Sequence, residues 1–448
     1  MAGGNFDRLA GKVRPGTYIN FESSRQDVIG ISERGTVLLP LIDHPYGPDK
    51  EFITISGGAP DAMREKLGFS VYDNNPSMLL IREALKNASN VVVYIPVQGT
   101  KATGTSGTLT ATAEYGGSHG NNLRFTIIEN PGAGFDVTLY LEAEVIAEYE
   151  SLTTVDELIA ASTGWIIFSG TGNLTATSGV QLTGGANGAT SNADVTEFLD
   201  KSESVSWNTL AFPIENKEGN AVALYEAVAT KIKNLREDVG KYRKAVLPNF
   251  FADYEGVINV TNSVILTDGT SLSTAQATAW VAGVDAGASN TQSNTYTKYI
   301  GAQDIVGVKN HAEAVAAIKR GEFFFSFSEA GDIVVEYDIN SLITFDAPKD
   351  KTYRKNRVLR VFDTFAESLM TNFPPNRFNN NAIGWDVMEG IGRTVLKQFE
   401  DAGAIKNADY DNDFLVDRGA SSGDETFFMV AIEPVDSAEK LFFTIKSR

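Results

Sequence analysis

Gly419, Ala420, Ser421, Ser422 and Gly423 spell G-x-S-x-G, the pattern that lifts a serine nucleophile onto a strand-to-helix turn for acyl transfer. The surroundings do not follow the pattern. A strand-like stretch succeeds Ser421 where a helix is required, and the last histidine, His311, lies upstream of a serine that needs its general base downstream. His44, His119 and His311 are far apart in sequence and sit in no ligand spacing such as H-E-x-x-H. Asp409, Asp411 and Asp413 resemble the opening of a calcium loop, but Phe414 stands at the sixth position, where glycine turns the chain, and Ala420 at the twelfth, where a bidentate Glu closes the shell. This reads as a solvated acidic loop. Gly170, Thr171 and Gly172 lack the third glycine and the helix of a dinucleotide site. No catalytic residue, metal ligand or cofactor-binding residue is therefore assigned, and no cofactor is expected.

One charged constellation remains. Lys349, Lys351, Arg354, Lys355, Arg357 and Arg360 place six cations in twelve residues, and several could share one side of a helix. A solvated face is the commoner meaning of such a run. It still stands out, because the 448-residue chain carries a formal charge of -19. That balance repels nucleic acid and anionic membrane surfaces. A hydrophobic content of 42% suffices for large cores, in two to four domains. Cysteine is absent, which removes disulfides and thiol chemistry. No apolar run approaches the roughly 20 residues of a membrane helix, and MAGGNFDRLAGKVRPG lacks the apolar core of a secretory signal, so cytoplasmic synthesis is the default expectation.

The basic run opens a C-terminal region, 347–448, with an α+β pattern. Val358, Val361, Phe362, Phe365, Leu369 and Phe373 recur at helical spacing until Pro374 and Pro375. A second stripe, Ile383, Val387, Met388, Ile391, Val395, Leu396 and Phe399, begins at a cap on Asn380 or Asn381 and ends at Gly403, and the two stripes are expected to pack together. Phe427–Ile432 and Lys440–Lys446 then read as strands. In the last of these Leu441, Phe443 and Ile445 share one face and Phe442 the other. Burying four such side chains returns roughly 2 kcal/mol each, whereas ordering about ten residues costs roughly 1 to 2 kcal/mol apiece. The segment is marginal alone and has to join a sheet, in its own domain or in a neighbouring subunit.

Upstream, residues 1–25 read as an arm whose short strand carries Tyr18, Ile19 and Phe21. An ordinary edge strand and an exchanged one both fit it. Residues 26–98 alternate strands and helices and end on the doubly apolar run Val91–Ile95, and 194–346 resume the alternation, which argues for a largely parallel sheet covered on both faces. Between them, 99–193 are rich in Gly, Thr, Ser and Asn, with strand patterns at 107–115, 122–129, 134–149, 164–168 and 179–183: a β-sandwich inserted into a split α/β domain.

Four segments now carry a resemblance: PVDSAEKLFFTIKSR (434–448), KNRVLRVFDTFAESL (355–369), VEYDINSLITF (335–345) and RPGTYINFE (14–22). In this order, with YGGSHGNNLRFTI (115–127) in the inserted domain, they resemble the contractile tail sheath family of bacteriophages and phage-tail-like particles. The resemblance implies a structural subunit that polymerises as stacked hexameric rings around a tail tube. Its N- and C-terminal arms would add strands to adjacent subunits and persist while the rings twist and close up. It implies a homo-oligomer whose other partners are the tube, baseplate and tail terminator proteins, with no nucleic acid and no membrane insertion, made in the host cytoplasm and assembled into a virion tail or bacteriocin-like particle. It also sharpens the basic run into a surface facing the tube or a neighbouring subunit. Two other classes are weighed against it. An α/β hydrolase-like enzyme has only the incomplete elbow, and a secreted β-domain adhesin lacks a visible secretion route.

Overall fold

The computed structural model describes residues 34–446 apart from Ala133 and Thr163. Tyr18, Ile19 and Phe21 of the expected arm lie outside the described residues. Two compact units are present, one running to Thr364 and resuming at Pro434, the other spanning Phe365–Glu433.

The larger unit is built on a sheet whose central strands are buried at nearly every position and mostly apolar, with Thr209, Lys244 and Asn259 as buried polar exceptions. Here β1 (Thr36–Pro40), β2 (Phe52–Ser56) and β3 (Asn90–Tyr94) bracket α1 (Arg64–Leu67) and α2 (Pro76–Leu85). After the insertion come α4 (Asn192–Lys201), β11 (Thr209–Ala211), α5 (Val222–Glu237), β12 (Lys244–Pro248), β13 (Val257–Val260), β14 (Ser263–Leu266), α6 (Thr274–Gly287), β15 (Ala302–Val306), α7 (His311–Lys319) and β16 (Glu322–Phe323). The order across the sheet is β16-β13-β12-β11-β1-β3-β2, parallel except for β2 against β3. Period-2 geometry divides each strand between two cores. Val37, Leu39, Val91 and Val93 meet Met78, Ile81, Trp280 and Val284 of α2 and α6, while Leu38, Val92, Tyr94 and Leu210 meet Phe198, Tyr225, Val228 and Ile232 of α4 and α5. A Cβ on Gly283 would stand 2.4 Å from the Ala84 carbonyl oxygen, so α6 and α2 approach as closely as they do only with glycine there.

The insertion is a two-layer β-sandwich, as the composition of 99–193 implies. One layer is β4 (Thr103–Ser106), β5 (Leu109–Ala113) and β9 (Ile166–Ser169); the other is β6 (Leu123–Glu129), β7 (Phe135–Leu141), β8 (Glu144–Leu152) and β10 (Thr177–Gln181), with α3 (Val155–Ala161) alongside. The strand read over 134–149 is a hairpin, since Glu142 adopts φ 56° at its turn. Tyr46 of the α/β scaffold enters the sandwich core and stacks on Trp165 at 5.8 Å. The apolar stretch 257–266 is likewise divided, between β13 and β14. Asn262 trades hydrogen bonds with the Phe325 backbone in both directions, 2.8 and 2.9 Å, and its successor β14 turns to pair antiparallel with β15. Phe325–Phe327 and Ile333–Val335 form a separate ribbon, β17 and β18.

Helix α8 (Asn356–Asn372) begins in the larger unit and continues into the smaller one, which also holds α9 (Ala382–Asp401), β19 (Ile405–Lys406), β20 (Phe414–Val416) and β21 (Phe428–Val430). The Asn381 side chain caps α9 by accepting from the Gly384 N–H at 2.9 Å. Phe365 and Phe399 pack edge to face at 5.2 Å, so the two helical stripes meet. The second stripe is narrower than its spacing suggests. Met388, Val395, Leu396 and Phe399 are buried, but Ile383 and Val387 are exposed.

Candidate assembly interface

Residues 434–440 are tied to the larger unit by polar contacts. The Lys355 ammonium donates to Asp436 at 2.6 Å and Glu439 at 2.8 Å, and the hydroxyls of Ser293 and Thr295 donate to Glu439, both at 2.8 Å. Arg357 donates to the Ser437 hydroxyl, and the Lys440 ammonium lies 6.0 Å from the Tyr337 ring centre. Burial works against the charge on Lys355, but its two carboxylate partners outweigh that and push its pKa up. This is a fixed root.

Beyond the root the anchoring stops. Leu441, Phe442, Phe443 and Ile445 are 67%, 92%, 81% and 92% exposed, and Lys440–Lys446 form no strand. The strand expected there does not form because a ladder needs a partner edge and, among the described residues, none lies alongside. Period-2 patterning survives without the pairing that would use it.

The basic run does not form one exposed stripe. Arg360 is wholly buried: it donates to the Gln292 carbonyl at 2.8 Å, the Ser289 carbonyl at 3.3 Å and Asp285 at 3.2 Å, with Asp338 3.9 Å away. Asp285 also accepts from Lys244 at 2.8 Å and Thr209 at 2.7 Å, and Arg34 lies 4.0 Å off. Beside this cluster Arg236 grips Asp363 with two bonds of 2.7 and 3.0 Å. Lys349 reaches Glu255 at 2.6 Å. Lys351 is exposed, Lys355 and Arg357 serve the root, and Arg354 is half-buried. The run fails as a stripe because the first two turns of α8 lie on the α/β unit, where buried cations require carboxylates.

The charges in this cluster are strongly perturbed. Burial works against the Asp285 carboxylate, yet Lys244, Arg360 and Arg34 hold its pKa far below the ordinary range. Asp338 is raised by burial, which its interaction with Arg360 does not offset. Lys244 is lowered by burial in spite of Asp285. The sequence reading missed both acids. A signal was present, since Asp285 is the one charged residue within Thr274–Gly287, a helix buried on nearly every side.

The other motifs of the sequence are engaged in local contacts. Ser421 is buried, and its hydroxyl accepts from the Phe427 N–H at 3.0 Å. Asp409 accepts from Asp411 N–H and the Asn412 side chain, which closes the acidic loop on itself. Among the described residues no group of three or more His, Asp or Glu side chains could hold a metal ion. His44 and His119, distant in sequence, come together where the scaffold meets the sandwich, bonded to the adjacent carbonyls of Leu67 (2.9 Å) and Gly68 (2.8 Å). Burial lowers the pKa of both, that of His44 to about 4.

Comparison with known proteins accounts for this distribution of features. Family models match in three consecutive stretches: phage tail sheath protein β-sandwich domain over 97–187, central domain over 188–341 and C-terminal domain over 348–448. The phage-like element PBSX protein XkdK of Bacillus subtilis is 36% identical over the full length of both chains. A crystal structure of a sheath tail protein from Desulfitobacterium hafniense is 38% identical, with a TM-score of 0.82, covering 95% of this chain and 98% of that one. The helical sheath of the anti-feeding prophage in its contracted state, 14% identical with a TM-score of 0.58 over 98% of this chain and 100% of that one, shares the fold. The chain belongs to the phage tail sheath protein family.

Proposed function

We propose that this chain is the sheath subunit of a contractile tail, polymerising as stacked hexameric rings around a tail tube and contracting to drive that tube through a target cell envelope. The observation that carries the reading is the segment after Lys440, rooted by Lys355, Asp436 and Glu439 and then fully presented, with apolar side chains on both faces and its backbone unpaired. Added to a neighbour's sheet, such a strand gains main-chain hydrogen bonds of about 1 kcal/mol net each, with alternate side chains fixing the register. A strand on a fixed root can stay paired while the bodies it links rotate. Contraction is then a population shift between two lattice packings and needs no active site. Tyr18, Ile19 and Phe21 supply the second exchanged strand, and the exposed Lys351 and half-buried Arg354 are the members of the basic run that remain available to a tube or neighbouring subunit. Baseplate and terminator proteins bound the polymer, which is made in the host cytoplasm and assembled into the particle.

Truncation tests the reading. Removing residues 441–448 deletes the exposed Leu441, Phe442, Phe443 and Ile445 and leaves the root, so the monomer keeps its thermal midpoint while tube-templated polymerisation is lost. Polymers of normal length from the truncated chain would contradict strand exchange.

A further inference from the structure

Beneath the root lies a cavity of about 550 Å³, walled in part by Tyr337, Phe345, Lys351, Arg354, Glu439 and Lys440. Four cations, Lys351, Arg354, Lys355 and Lys440, face two carboxylates, Asp436 and Glu439. Both carboxylates are occupied by Lys355. Among the described residues Lys351, Arg354 and Lys440 therefore have no carboxylate partner. Arg354 lines the cavity without an acidic partner: its Nε and one terminal nitrogen are closed off from water and unpartnered, which leaves its other terminal nitrogen as the donor a ligand can reach. The guanidinium groups of Arg64, Arg236 and Arg360 each hold an acidic partner, whereas buried Arg357 reaches the Ser437 hydroxyl and likewise leaves its Nε unpartnered. Leaving charged donors unsatisfied is costly. Burial also pulls the Arg354 pKa down, which marks the missing counter-charge.

We propose that this cavity is a carboxylate receptor in which Arg354 takes an acidic side chain of a second copy of this chain. The inference rests on the sheath reading, since a homopolymer sets copy against copy. Charge complementarity favours that occupant. Acidic residues outnumber basic ones 57 to 38 over the chain, so any neighbouring copy presents carboxylates to a cationic pocket. The terminal nitrogen of Arg354 that is not closed off can donate a charge-assisted hydrogen bond to such a carboxylate. Ile318, Ile339 and Phe345 add an apolar lining that suits an acidic residue flanked by an aliphatic one.

The test is assembly of the full chain around its cognate tube protein, followed across a salt titration for wild type, Arg354→Gln and Arg354→Glu. Arg354→Gln is expected to raise the protein concentration needed for assembly about tenfold or more. Arg354→Glu is expected to abolish assembly. Both monomers should melt at or above the wild-type temperature, since a charge with no partner has been removed. A reconstruction of the polymer should place a carboxylate of a neighbouring copy on Arg354. Wild-type assembly by both variants, or monomers that melt well below wild type, overturns the receptor and leaves the sheath reading standing. Wild type that forms no polymer with its tube overturns the sheath reading itself.

Discussion

Removing Lys244, Asp285 and Arg360 from water costs several kcal/mol per ion before any attraction is counted. The cluster survives because every member is paired and hydrogen-bonded, so it is intolerant of partial loss. Asp285→Asn leaves two buried cations without their shared counter-charge and is expected to lower stability by about 3 to 5 kcal/mol, read as a shift in the denaturant midpoint. Wild-type stability for that variant would remove the cluster from the account of how α8 is held. His44 gives a second prediction at this scale. Its neutral ring donates from Nε2 to the Leu67 carbonyl, while Nδ1 is buried without a partner, so protonation has nowhere to place a second N–H. The folded pKa of about 4 lies below the ordinary 6.5, so the unfolded chain takes up the proton first. Stability from this residue is complete above pH 6.5 and is lost as pH falls toward 4, by roughly 3 kcal/mol. His44→Gln keeps a donor without the titration, and its thermal midpoint should fall less between pH 7 and 4.5 than that of wild type. Equal slopes would assign the acid sensitivity elsewhere.

At the scale of elements, the tail after Lys440 separates patterning from pairing. Phe443→Pro removes one backbone donor and fixes φ, which a ladder cannot absorb. The side chain is exposed, so the monomer should be unchanged within about 0.5 kcal/mol. Co-sedimentation with the tube should nevertheless fall to the level of the truncated chain; retained co-sedimentation would show that the segment is not a ladder strand. The same segment shows what sequence patterning can and cannot supply. Alternation over 440–446 specifies a strand and says nothing about whose edge completes it. The doubly apolar runs of β1 and β3 leave no such choice, because each face meets helices of its own chain. Helix α4 went unread although Ser191 and Asp194 form a capping box at its start, a local signal hidden by the Gly- and Thr-rich stretch before it. The basic run misled for a different reason. Spacing along α8 was correct, but periodicity does not carry the sign of the surface opposite, and Asp285 and Asp338 lie 75 and 22 residues upstream of Arg360. That distance also concealed the Arg354 cavity, whose walls come from three separate stretches of chain.

On the scale of the whole molecule, charge and anchoring are divided between regions. Buried ion pairs hold the first turns of α8 to the α/β unit, Tyr46 joins the sandwich to its scaffold, and the apolar residues after Lys440 are left open. No helix among the described residues is long and apolar enough to cross a membrane. The most direct test of the central claim is electron microscopy of the purified full chain mixed with its tube protein. Regularly striated sheaths around the tube, convertible to a shorter and wider form, are the predicted result. Bare tubes beside dispersed monomers, under conditions in which the tube itself is intact, would contradict it.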